Sequence, residues 1–407
     1  MRTLRIGLVA TRFAGLDGVT LESAKVARVL EGLGHAIAWF GGQIETGFAP
    51  ATVSSAAYFD TPHNHELNNR MFGRAECAQS VLQAVEDTAG DIEADLAAFV
   101  AENEIDVLMP QNALAIPMQV PLGLAIARYQ HASGTPTLAH HHDFAWERKR
   151  FWPNAIGHFL DEAFPPVAPN LRHLVINSLA ATELLRRKGV KSLLLPNIMD
   201  FGQPPAAGDA AAFRAVAGLA ASDTVILQPT RMVPRKGIEE TLRLAARLAD
   251  ESIRVVVTHP EPDEGSDYLD ILAAAAEQLQ VDFRVVPVQR GTGTGLGDAY
   301  AAADLVSYPS RIEGFGNALL EALYFKRPLL VNRYPVYVAD IAPQGVEAIE
   351  MDGEITDGVV SEVAELLGNP ESWGAAVDRN YDIGRRAFSY EIAAEILATA
   401  LTNLVTK

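Results

Sequence analysis

Short apolar runs alternate along the chain with longer stretches whose apolar residues recur every three to four positions, the pattern of parallel strands covered by helices. In the first half the runs predict strands at Leu4–Ala10, His35–Phe40, Asp106–Met109, Pro136–His140, His173–Asn177 and Leu193–Leu195, separated by amphipathic stretches such as Leu21–Leu33 and Asp91–Asn103. The second half repeats the plan, with strands at Thr224–Pro229, Arg254–His259, Phe283–Val288, Leu305–Tyr308 and Leu329–Val331. Helical patterns at Gly237–Ala249, Tyr268–Leu279, Gly316–Phe325 and Asp357–Leu367 fall among them. A turn-rich stretch, Pro196–Pro205, divides the two sets. The expectation is an α/β protein of two Rossmann-like, doubly wound domains, 1–196 and 197–385, facing a cleft at the carboxyl ends of their strands.

Length and composition agree with that plan. A chain of 407 residues suits two domains, and 49% apolar with 21% charged residues excludes wholesale disorder. The net charge of −18 disfavours nucleic acid and anionic membranes as partners. Cys77 is the single cysteine, so no intrachain disulfide forms, and a cytoplasmic, reducing location is expected. No apolar run nears the roughly 20 residues of a membrane span. The apolar start, Leu4–Ala10, is too short for a signal peptide and is interrupted by Thr11-Arg12. Monomer and homo-oligomer are equally compatible with the sequence.

The densest chemistry lies in Tyr308-Pro-Ser-Arg-Ile-Glu-Gly-Phe-Gly-Asn-Ala-Leu-Leu-Glu-Ala322, which leaves a strand, turns through Gly314 and Gly316, and enters a helix. Amides at such a helix start suit a phosphate. Glu313 and Glu321, eight residues apart, would lie along one helix face and accept hydrogen bonds from hydroxyls at two ends of a ligand, the shape of a nucleotide sugar. A second strand, from Thr224, ends in a turn carrying Arg231, Arg235 and Lys236 before Gly237, enough cationic charge for a diphosphate. The glycine-rich run Gly291–Gly297 fits neither a P-loop nor a dinucleotide fingerprint, and reads as a mobile loop. Residues following Phe283–Val288 are expected to face the base.

Together with Asn197, the run Ala301–Ser310, and Gly18-Val-Thr followed by Lys25–His35, these segments resemble the motifs of GT-B retaining glycosyltransferases of family 4. The resemblance implies a donor, UDP- or GDP-hexose, bound mainly by the second half, and an acceptor bound mainly by the first. It places the diphosphate on Arg231 and Lys236 and on the turn Gly314, Phe315, Gly316 and Asn317. Glu313 would hold the donor sugar and Glu321 the ribose, while Gly18 would let the backbone approach the phosphate. Cations in place of an Asp-x-Asp motif imply no essential metal and no tightly bound cofactor. The last helical stretch, Ser389–Val405, would cross back onto the first domain.

The same resemblance puts a His–Asp pair beside the transferred sugar. His142-Asp143 fits, with His141 as the alternative if the register slips by one, and Asp143 would fix the imidazole's tautomer or touch the acceptor. Three consecutive histidines do not converge on one metal, because neighbouring strand residues point to opposite faces. Gln111, Asn112, Trp146, Arg148 and Arg150 supply amides, an aromatic wall and cations for a small hydrophilic, anionic acceptor, in the manner of enzymes that make glycosylglycerates. The alternatives are a sugar-nucleotide epimerase or hydrolase on the same frame, and a non-catalytic sugar-nucleotide-binding protein.

Overall fold

The computed structural model of the protein describes residues 2–15, 17–259, 267–288 and 295–405. The chain divides into two compact units, one formed by Met1–Asn197 with Tyr390–Lys407 and the other by Ile198–Ser389.

The first unit is a seven-stranded parallel sheet of β1 (Arg5–Phe13), β2 (Ala36–Ile44), β3 (Ala51–Val53), β4 (Val107–Pro110), β5 (Thr137–His141), β6 (Leu171–Val175) and β7 (Ser192–Leu194), in the order 3-2-1-4-5-6-7. The second is a six-stranded parallel sheet of β8 (Thr224–Arg231), β9 (Ile253–His259), β10 (Asp282–Val285), β11 (Leu305–Tyr308), β12 (Leu329–Asn332) and β13 (Ile349–Met351), in the order 10-9-8-11-12-13. Central strands carry consecutive buried apolar residues, such as Leu8-Val9-Ala10 and Val255-Val256-Val257, because helices cover both faces. In each sheet the winding direction reverses next to its first strand, between β1 and β4 and between β8 and β11. The carboxyl ends at those two reversals are where such sheets take ligands.

β3 and β13 are missing from the sequence-based expectation; each has three residues and borders its sheet, too short for a periodic signal. β6 begins at Leu171, two residues before the predicted start, and Asn177 instead caps the next helix by accepting from the Ala180 amide. The helix predicted from Asp91 begins at Gln79, because Val81, Val85, Ala89, Ile92, Leu96 and Phe99 keep one buried stripe straight through Gly90. The final helix, Tyr390–Val405, belongs to the first unit, burying Leu397, Leu401 and Leu404 and packing on the helix Gly18–Gly32. Among the described residues no helix is long and apolar enough to cross a membrane. Residues 289–294, which hold most of the glycine-rich run and the expected base contacts, lie outside the described residues.

Candidate active site

In the second unit the loops after β8 and β11 are tied together at the sheet reversal. The Arg311 amide donates to the Arg235 carbonyl at 2.9 Å, and a Cβ on Gly237 would stand 2.7 Å from the Pro309 carbonyl oxygen. Gly237 is also left-handed, at φ +66°, so glycine is required there for both reasons. Below, Thr241 Oγ1 donates to Gln228 Oε1 at 2.6 Å, and Gln228 Nε2 holds the Lys236 carbonyl at 2.9 Å.

This brace sets Lys236 Nζ 2.5 Å from Glu313 Oε1 and Arg235 Nη1 3.2 Å from Glu313 Oε2. The Lys236 ammonium also stands over the Tyr308 ring, 5.5 Å from its centre. Burial by itself would raise the Glu313 pKa, but Lys236 and Arg235 overcome it and hold the carboxyl at about 2. Burial draws the Lys236 ammonium downward, with Glu313 opposing. Glu313 is thus a carboxylate at neutral pH, and Lys236 is partnered by it rather than standing open for a diphosphate.

Gly316 opens the helix Asn317–Tyr324 at φ +132°, and Tyr334 Oη donates to the Phe315 carbonyl at 2.6 Å, so the turn Gly314–Asn317 is rigidly placed. No side chain caps the helix. Glu313 precedes the helix, so only one turn, from Asn317, separates it from Glu321, not the two helical turns expected from their spacing. Glu321 Oε2 accepts from the buried Tyr300 hydroxyl at 2.9 Å. Arg231 closes β8 beside His259 of β9, and its charge helps push the His259 pKa down to about 4, after burial.

In the first unit Gly18 is not in a loop but opens a helix. Asp17 caps it, with Oδ1 accepting from the Val19 and Thr20 amides. A Cβ at Gly18 would meet no described atom within 4 Å, so room for an approaching ligand is present. At the carboxyl end of β5, His140 and His142 share one side, rings 4.5 Å apart, while His141 points away and pairs its Nε2 with His173 Nδ1 at 2.8 Å. That alternation leaves His142, not His141, on the side of the Gly18 turn. Burial lowers the His142 pKa although Glu22, Asp143 and Asp17 oppose it, so the ring is neutral at pH 7. Its Nε2 has no partner among the described residues.

Most of the residues expected to meet an acceptor turn inward. Gln111 Oε1 pairs with His140 Nδ1 at 2.9 Å, and the side chain is buried. Asn112, left-handed at φ +58°, is a clamp: its Oδ1 accepts from the His142 and Asp143 amides and its Nδ2 donates to Asp143 Oδ1 at 2.8 Å. Asp143 does not hold the His142 ring; its Oδ2 is taken by Arg148, at 2.6 Å from Nε and 2.5 Å from Nη2. Trp146 stacks on Phe144, centroids 4.4 Å apart, with Arg187 over its ring, so it is packing rather than a sugar-facing wall. Arg150 lies over Phe151. For Gln111, Asn112 and Asp143 the physical reason is common: each polar group beside a buried parallel strand end must first satisfy its neighbours.

The positioning residues Tyr300, Tyr334, Gln228 and His173 were missed, and nothing in their local sequence marks them. Among the described residues no group of three or more His, Cys, Asp or Glu side chains is arranged to hold a metal.

This geometry has close relatives. Residues 209–372, nearly all of the second unit, match the family model "Glycosyl transferases group 1". Mannosylglucosylglycerate synthase of Thermotoga maritima is 30% identical over 97% of this chain and 99% of its own. Sucrose-phosphate synthase of Thermosynechococcus elongatus superposes over 100% of both chains with a TM-score of 0.69 at 15% identity. Anabaena HepE, solved with UDP and glucose, covers 98% of this chain and 100% of its own with a TM-score of 0.67 at 14% identity. The fold is therefore that of the GT-B glycosyltransferases, and the chain belongs to the group 1 glycosyltransferase family.

Proposed function

We propose that this glycosyltransferase moves a hexosyl group, with retention, from a UDP- or GDP-linked sugar to a hydroxyl of a glycosylglycerate. The observation that carries the reading is the end-to-end similarity to a relative named for making mannosylglucosylglycerate.

In this reading the second unit takes the donor. Glu313, kept charged by Lys236 and Arg235, accepts hydrogen bonds from sugar hydroxyls, and Glu321 accepts from the ribose. The diphosphate lies against Arg231, the backbone of the Lys236–Gly237 turn and the helix start at Gly316–Asn317, where amides and the Arg231 guanidinium meet the charge that grows as the sugar leaves. The bond from the anomeric carbon to phosphate breaks while the bond to the acceptor oxygen forms on the same face. The departing diphosphate takes the acceptor's proton. The first unit takes the acceptor, and neutral His142, held through its backbone by Asn112, hydrogen-bonds the transferred sugar. Cations do here what a divalent metal does elsewhere, so turnover should persist in EDTA.

The test is incubation with UDP-glucose and with GDP-mannose, each with and without glucosylglycerate, followed by mass spectrometry and NMR of the new anomeric centre. A new α-linked product from an α-linked donor supports the reading. Hydrolysed or epimerised sugar with the acceptor untouched would overturn it, as would activity that disappears with chelator and returns with magnesium.

A further inference from the structure

Thr11-Arg12 interrupts an otherwise apolar strand, and the reactions assigned so far leave Arg12 without a role. β1 is a central strand, buried over Ile6–Ala10, so a cation near its carboxyl end, opposite Gln43 of β2, is an exception to its pattern. Arg12 is partly buried, its guanidinium 5.2 Å from the centre of the Phe59 ring. Its Nη2 donates to Asp17 Oδ2 at 3.1 Å, beside the turn that opens at Gly18. Asp17 in turn is held by the Thr20 hydroxyl at 2.8 Å and by the helix amides it caps. The guanidinium is thus aimed by an aromatic face and one carboxylate oxygen, while Nε and Nη1 donate to no group among the described residues.

A glycerate carboxylate needs a cation, and of the other cations near the carboxyl ends of β1 and β5, Arg148 and Lys25 are paired with carboxylates while Arg150 lies exposed over Phe151. Arg148 gives two donors to Asp143, and Lys25 pairs with the buried Glu22 at 2.6 Å. We infer that Arg12 binds the carboxylate of the acceptor and sets the enzyme's preference for an anionic acceptor over a neutral one. A half-desolvated guanidinium whose Nη2 is held by Asp17 still offers Nε or Nη1 for a charge-assisted hydrogen bond to a carboxylate. The inference rests on the glycerate acceptor proposed above.

The experiment compares kcat/KM on glucosylglycerate and on glucosylglycerol, which lacks the carboxylate, for the wild type, Arg12→Gln and Arg12→Lys. The wild type should prefer the charged acceptor. Arg12→Gln should lose about thirtyfold or more on glucosylglycerate, the scale of a broken charged hydrogen bond, yet stay within about threefold on glucosylglycerol. Arg12→Lys should recover part of the loss, and affinity for the nucleoside diphosphate should stay unchanged in both variants. Equal losses on both acceptors, or weakened nucleotide binding, would make Arg12 a support of the Gly18 turn and overturn the inference. No loss on glucosylglycerate would overturn it as well. If Arg12→Gln fails to fold, Arg12→Lys decides between the same outcomes. A wild type that glycosylates neither compound would overturn the acceptor assignment itself, a result distinct from a wild type that works on both without preference, which refutes Arg12 alone.

Discussion

Both units hold polar groups at their sheet reversals, and both pair charges there, Asp143 with Arg148 in the first as Glu313 with Lys236 in the second, but the first adds a buried network of neutral rings and amides. In the second unit charges are buried against charges, Glu313 between Lys236 and Arg235. In the first, neutral rings and amides are buried against one another: His141 on His173, His140 on Gln111, and Asn112 on two backbone amides. A pre-formed charge cluster suits a donor whose charge changes during transfer, since its dipoles need not reorganise. A neutral network suits an acceptor whose hydroxyls carry no charge, leaving its carboxylate to Arg12 at the end of β1. The difference teaches that one fold supplies the same position twice, and that the side chains there decide which chemistry it serves.

Removing one member of the charge cluster should give the largest effect. Glu313→Gln leaves Lys236 and Arg235 buried without their carboxylate and should destabilise the second unit by about 3–5 kcal/mol, the usual cost of breaking a buried pair. Turnover should fall about a hundredfold or more. Adding Lys236→Met should restore most of the stability and none of the turnover. Urea unfolding of the single and double variants checks this; a double variant no more stable than Glu313→Gln would show that the pair is not energetically coupled.

Acid should separate the units next. His140, His141 and His173 all hold protons less readily when folded, chiefly through burial, with His173 lowered to about 4. A lowered folded pKa means that stability is full above the ordinary histidine value of 6.5 and is lost as pH falls towards about 4. His173 alone should withdraw about 3 kcal/mol across that window. In the second unit His259, also lowered to about 4 by burial and then by Arg231 and Lys236, loses its contribution over the same window, but it is one ring against three in the first unit. Glu313 follows the same sign lower down, losing its contribution between its usual 4.5 and about 2. Hydrogen exchange read by mass spectrometry at pH 7 and pH 4.5 should show β5 and β6 opening before β8 and β11; the reverse order would contradict the comparison.

His142→Ala should cost about a hundredfold in kcat, the scale of one lost transition-state contact, while affinity for the nucleoside diphosphate stays within a few-fold. The proposed side-chain contacts to the nucleotide, Glu321 and Arg231, lie in the second unit, and the ring of His142 in the first. His141→Ala is the control. Its ring packs on His173, so it should lower stability more than turnover. Unchanged kcat in folded His142→Ala would remove this segment from the chemistry.

These contrasts also explain what the sequence disclosed. Both sheets were legible because strands buried on two faces spell themselves in consecutive Val, Ile and Leu, and the donor segment because Gly314 and Gly316 flank a strand-to-helix turn. The contacts that set the chemistry were not legible. Lys236 and Glu313 are 77 residues apart, His141 and His173 are 32, and Asn112 acts through a left-handed backbone that no neighbouring residue announces. Sequence spacing also misled where a glycine intervened: Glu313 and Glu321 suggested one helix face, and Gly316 ends that face before it begins. Residue type thus announced which groups were available, and tertiary pairing decided which of them remained for a ligand.

The smallest expected effect probes the second unit's other carboxylate. Glu321→Ala should weaken nucleoside diphosphate binding by about 1.5–3 kcal/mol, if the ribose hydroxyls donate to it as proposed. Tyr300→Phe should weaken it by only about 1 kcal/mol, because the phenol touches no ligand and acts by holding Glu321 Oε2 at 2.9 Å. Burial and the adjoining Glu321 raise the Tyr300 pKa well above that of a free phenol, so it remains a donor throughout the working pH range. The double variant should then bind no more weakly than Glu321→Ala, since the tyrosine has nothing left to position. Calorimetry of the three variants gives the cycle directly. Additive losses would mean that the Tyr300 hydroxyl supports the nucleotide site through its other hydrogen bond, to the Ala318 carbonyl at 3.2 Å, and not through the carboxylate.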